Sequence, residues 1–158
     1  MPKPEQLWFL NTLVTVRVAG AEGENGMTVL EHHAPYGDSP PLHVHANEDE
    51  IFHVISGELR FRVGTREISA RAGETVQTPR NVPHSYLVWS PQGARFLTVT
   101  CGRDFENLVR SFSRPAAHDG LPAQATPTSE QVAALTQACL ANNIRLVGPP
   151  LTEAQAAA

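Results

Sequence analysis

The strongest constraint on this chain is its punctuation. Across the first two-thirds, Gly, Pro, Asn and Ser recur often enough to cut every apolar segment to strand length, and no helical period runs between them. Residues 7–18 are rich in Val, Leu and Thr and read as one strand. It ends at Ala19-Gly20, and a Gly/Glu/Asn turn follows through Gly26. Residues 27–33 read as a second strand, stopped by Ala34-Pro35. Shorter extended segments follow at residues 42–45, 50–55, 58–63, 66–70, 75–78, 84–89 and 95–100. Gly64-Thr65 and Ser90-Pro91-Gln92-Gly93 sit between neighbouring segments as hairpin turns. Many short strands at regular spacing predict a mainly β fold, a sandwich or a barrel.

The last third changes character. Phe105, Leu108, Val109 and Phe112 fall at helical spacing, with Asp104 as the expected N-cap. A Pro/Ala-rich loop follows. Thr128-Ser129-Glu130-Gln131 then has the form of a capping box and opens a helix to about Ala141. Val132, Leu135 and Cys139 are its expected buried stripe. Asn142-Asn143 supplies a left-handed stop, and residues 144–147 are extended. With 158 residues the chain fits one domain. Residues 1–103 are expected to form a barrel, and 104–158 a helical and extended tail packed on its outside.

Composition excludes several classes of partner. The net charge is −4 and Lys and Arg do not cluster, which argues against nucleic acid and anionic membrane. No apolar run is long enough to span a bilayer. The N-terminal residues carry no charged start followed by an apolar core, so no signal peptide is expected. Cys101 and Cys139 read as reduced thiols of a cytoplasmic protein. Leu7-Trp8-Phe9-Leu10 is apolar enough for a homodimer contact and equally for a core strand.

The histidines carry the chemistry. Five of the seven lie between His32 and His53. His43 and His45 are two apart, so on a strand both rings share a face. The polar tetrapeptide Ala46-Asn47-Glu48-Asp49 is long enough to turn the chain and return Glu50 to that face. Two imidazoles and a carboxylate converging on one point make half a metal site, and His84, after Pro83, is the remaining ligand candidate. Such a set suits one divalent transition ion (Fe, Ni, Mn, Co, Cu or Zn) with positions left open. Glu48, Asp49 and Glu58 read as solvated charges. His53 is out of phase with Glu50 and points away. His32 and His33 read as surface residues, at most one of them turned inward.

The stretch Gly37-x5-His43-x-His45-x4-Glu50-x6-Gly57 resembles the first motif of the cupin superfamily at every position. Gly73-x5-Pro79-x-Asn81-x2-His84 is similar to the second, with Asn81 where the family has Gly and Val88 where it has Asn. Asn tolerates positive φ, so that turn survives. The resemblance spans residues 7–102. It implies a cupin double-stranded β-helix, a conical jelly-roll barrel, with His43, His45, Glu50 and His84 as metal ligands. Alternation then directs Phe52, Phe61, Tyr86 and Phe96 inward, an apolar, partly aromatic pocket suited to a flat aromatic substrate. With the helix and Ile144-Arg145-Leu146-Val147-Gly148-Pro149-Pro150 of its tail, the chain is most similar to single-domain cupins of the quercetin 2,3-dioxygenase-like kind. That similarity implies dioxygenase chemistry on a phenolic or enolic molecule, with Glu50 as ligand and general base. A non-redox cyclase or isomerase, and a binding module without turnover, stay open beside it.

Overall fold

The structure is a computed structural model describing residues 3–20 and 26–156. Most of the turn expected through Gly26 lies outside those residues. The chain forms β1 (Gln6–Phe9), β2 (Thr12–Val18), β3 (Met27–Ala34), β4 (Pro41–His45), β5 (Glu50–Ser56), β6 (Glu58–Val63) and β7 (Arg66–Arg71). Then come β8 (Thr75–Thr78), β9 (His84–Val88), β10 (Ala94–Cys101), α1 (Asp104–Phe112), β11 (Ser113–Pro115), α2 (Ser129–Ala141), β12 (Ile144–Pro150) and α3 (Glu153–Ala156). Two antiparallel sheets result. One has seven strands in the order β11-β1-β2-β3-β10-β5-β8, the other five in the order β12-β4-β9-β6-β7.

Alternation drives the closure. In β5, β6 and β10 every second side chain is buried, so each strand offers one apolar face. Those faces meet between the sheets, where Phe52, Val54, Leu59, Phe61, Val88 and Phe96 form the main core, each at most 3% exposed. Full burial of such side chains contributes about 1.5–3 kcal/mol each. Gly57 joins β5 to β6 at φ +85, and a Cβ there would meet the Gly93 carbonyl oxygen at 2.6 Å. Only glycine lets those two turns pass.

Three local expectations are corrected. Residues 7–18 are two strands, because Leu10 adopts φ +53 and folds β1 back on β2 with Phe9 opposite Thr12. Leu7 of this hairpin packs with Val14, Leu30 and Val109, and β11 covers the other edge of β1. Asp104 is the first residue of α1 and not its cap, which is Arg103 without a side-chain bond. Val132 is exposed, and the buried stripe of α2 is Leu135 and Cys139. The capping box of Thr128 and Gln131 forms as expected, and Asn143 takes the left-handed conformation, φ +57, after α2.

The tail does more than cover the barrel. β12 pairs with β4 and places Leu146 opposite His43 and Ile144 opposite His45. Leu135 and Cys139 of α2 pack with Leu108 of α1 and Ile144, a second core beside the histidine strand. No described helix is long and apolar enough to cross a membrane.

Candidate metal centre

The ligand candidates come from both sheets. β4 carries His43 and His45, β9 carries His84, and His43 pairs directly with His84. The loop of residues 46–49 crosses to the other sheet, where Glu50 opens β5. Asn81 takes φ +62 just before β9, so the turn survives the missing glycine. The four side chains each offer a ligand atom, all within 4.8 Å of one another. His45, Glu50 and His84 are buried, and His43 is half-buried.

Backbone and side-chain partners fix the rings. Nδ1 of His43 lies 2.7 Å from the Pro41 carbonyl oxygen, and Nδ1 of His84 lies 2.9 Å from that of Val82. A carbonyl oxygen only accepts, so each Nδ1 carries a proton, and Nε2 is the atom each ring turns toward the cluster. His84 Nε2 lies 3.3 Å and His45 Nε2 3.7 Å from Glu50 Oε2. Nδ1 of His45 faces Glu48 Oε2 at 3.6 Å. Such outer contacts orient metal-binding imidazoles and raise their basicity.

Glu48 corrects the expectation of a solvated charge. It is 2% exposed, and its two oxygens accept the N–H groups of Asp104 (2.9 Å) and Phe105 (3.0 Å) at the start of α1. A carboxylate there satisfies donors the helix leaves free and meets the positive end of its dipole. Gly102, φ +142, makes room, because a Cβ would fall 2.6 Å from Glu48 Oε1. Asp104 in turn accepts from Asn47 and Asn143, joining the ligand loop, α1 and the tail.

The charge states of His43 and Glu50 suit metal binding. Burial and the neighbouring His84 and His45 rings push His43 down to about 3. Burial alone would raise Glu50, yet the His84 hydrogen bond and the imidazoles outweigh it and hold the carboxyl low. Burial would lower His45, but Glu48 and Glu50 outweigh it and raise it. A divalent cation fits this donor set. Both ring nitrogens of His45 are buried without a hydrogen-bond partner, which is costly for a polar group. A cation among the three Nε2 atoms and Glu50 gives that ring its partner, and three imidazoles with one carboxylate leave positions open.

A cavity of about 500 Å³ opens beside the cluster, with His43, His45 and Glu50 in its wall. Phe52, Tyr86 and Phe96 line it as alternation predicts. Phe61 does not. It packs behind Phe52 (5.1 Å between ring centroids) and opposite Tyr86 in the adjacent strand, wholly within the core. His53 bonds Thr75 Oγ1, on the side away from the site.

Sequence reasoning missed four contributors. His32 is 3% exposed, lines the cavity, stacks on Phe96 at 4.9 Å and pairs with Thr98 Oγ1 at 3.1 Å. Its signal was present, since Leu30 and Ala34 flank it in phase on β3 and are buried. Phe105 and Leu135 enter the wall from the helices, which no local pattern announces. Asp38 lines it from the loop before β4.

Two apposed antiparallel sheets thus draw three histidines and a glutamate together from both. Residues 29–100 match the family described as "Cupin domain". No curated protein matches the sequence. Among solved structures, the chain is similar to an RmlC-like cupin from Shewanella frigidimarina, with TM-score 0.55, 16% identity, and coverage of 66% of this chain and 92% of that one. It is also similar to KdgF from a Halomonas species (TM-score 0.53, 14% identity, 61% and 84% covered). A third is the Cupin_2 domain of an XRE family transcriptional regulator from Enterobacter cloacae (0.51, 20%, 57% and 95%). At these identities the likeness concerns the fold.

Proposed function

We propose that the chain is a metal-dependent dioxygenase of a phenolic or enolic small molecule, in the manner of quercetin 2,3-dioxygenase-like cupins. One observation carries this reading: the cluster borders a roughly 500 Å³ cavity whose other walls are mainly apolar and aromatic. That volume lies in the range of small-molecule sites. Phe52, Phe96 and Phe105 line it with aromatic rings, and His43, Glu50 and Tyr86 bring polar side chains to it. A divalent ion held there supplies Lewis-acid charge and, when redox-active, a route for electrons to dioxygen. His43, His45, Glu50 and His84 hold it, Glu50 as the anionic ligand.

The test is oxygen uptake by protein loaded in turn with Fe, Ni, Mn and Co, against a panel of flavonols and β-diketones. Uptake with stoichiometric loss of one substrate is the expected result. No uptake with any pairing overturns the assignment. Product formed under strict anaerobiosis would instead establish a non-redox cyclase or isomerase.

A further inference from the structure

One carboxylate in the cavity wall lies outside the metal cluster. Asp38 lines the same cavity as His43, His45 and Glu50. Its carboxylate has a single side-chain partner among the described residues, the Tyr86 hydroxyl, which donates to Oδ2 at 3.3 Å. No cation or backbone N–H among those residues reaches it. The other inner carboxylates are engaged. Glu31 pairs with Arg17 and Arg95, and Glu106 bonds Gly20, Thr28 and Arg110. Glu48 closes α1, and Glu50 sits among imidazoles.

The backbone holds Asp38 in place. Its N–H donates to the Pro35 carbonyl, and its own carbonyl accepts from Val88, two residues past Tyr86 on β9. Burial without a counter-charge pushes the carboxyl up to about 6, against the pull of the Tyr86 hydrogen bond. Tyr86 itself is raised well above its ordinary value, first by burial and then by Asp38 and Glu50, so its hydroxyl stays a donor. The other titratable groups in the cavity wall are His32, Tyr36, His43, His45, Glu50 and Cys139.

We propose that Asp38 is the catalytic proton acceptor of this cavity. The substrate's O–H bond breaks, its proton forms a new O–H bond on the Asp38 carboxylate, and the electron pair stays on the substrate oxygen. No oxidant or reductant enters this step. A base near neutrality is the one best matched to a phenol or enol. The assignment rests on the reading that a hydroxylated, flat molecule occupies the cavity.

The probe is 4-nitrophenol, whose colour reports its ionisation. It is titrated into the full chain after dialysis against chelator, for wild type, Asp38→Asn and Tyr86→Phe, with circular dichroism confirming the fold. Asn keeps the size and both backbone bonds of Asp38. In wild type the ionised Asp38 carboxylate accepts a hydrogen bond from the bound phenol and repels its phenolate, so the dye ionises about one pH unit or more above its midpoint in D38N. Y86F retains the carboxylate and therefore the raised midpoint. Equal midpoints in wild type and D38N overturn the role of Asp38 while leaving the aromatic cavity intact, and so does a Y86F midpoint that falls with D38N. No saturable binding to any of the three overturns the cavity reading and the acceptor with it.

Discussion

Glu48 Oε2 lies 3.6 Å from Nδ1 of His45, and the same carboxylate accepts the first two N–H groups of α1. One buried side chain thus ties the start of α1 to the orientation of a ligand ring. Glu48→Gln should weaken metal affinity about 10–100-fold, the usual effect of losing an outer partner of a ligand histidine. It should also cost about 1–2 kcal/mol of stability through the helix terminus. Calorimetric metal titration and urea unfolding read the two effects separately. Unchanged affinity would mean that His45 is aimed without Glu48. Gly102→Ala should reproduce both losses, because its Cβ would strike Glu48.

Metal should stabilise the fold. At a hundredfold excess over the dissociation constant, binding to the native state adds about 2.7 kcal/mol. For a chain of 158 residues that raises Tm by about 5–10 °C. His84→Ala should abolish the shift, since it removes one of the four converging donors. Differential scanning fluorimetry with and without ion checks both statements, and an equal shift in H84A would place the ion elsewhere.

His32 should contribute to acid sensitivity. Burial lowers it from 6.5 to about 4, against the pull of Glu50 and Glu31. Above pH 6.5 the ring is neutral in both folded and unfolded chains and contributes no slope. As pH falls from 6.5 towards 4, the unfolded chain takes up a proton that the folded chain refuses, so stability drops. The loss from this one ring is on the order of 3 kcal/mol when complete. His32→Gln should make that limb shallower by about one proton. Urea unfolding of both proteins across this window is the check, and identical slopes would show that His32 is not held neutral.

The cavity mouth should set access. Val132 of α2 lines the cavity yet is 48% exposed, so changing it leaves the core untouched. Val132→Trp should shift stability by no more than about 0.5 kcal/mol. It should leave metal affinity unchanged and lower kcat/KM for bulky substrates. Equal kcat/KM in both proteins would mean that substrates do not pass α2.

The ligand set was legible because it rests on short-range geometry. Alternation on β4 puts His43 and His45 on one face, and a tetrapeptide loop returns Glu50 to them. The inward residues Phe52, Tyr86 and Phe96 follow the same rule. Depth is another matter, since Phe61 obeys the alternation and still lies behind the cavity wall. The hairpin at Leu10 was hidden because an apolar residue occupies the left-handed position where Gly or Asn is ordinarily found. Glu48 and Asp38 were missed for a different reason. What makes each notable is a partner more than forty positions away, Asp104 for one and Tyr86 for the other. No local pattern encodes such a meeting.

On the proposed reading, His43, His45, Glu50 and His84 hold one divalent ion. Elemental analysis of the purified full chain, beside His84→Ala prepared identically, tests it most directly. The expected result is about one transition-metal ion per wild-type chain and a small fraction of that in the variant. Wild-type protein that stays metal-free after exposure to Mn, Fe, Co, Ni, Cu and Zn in turn would contradict it.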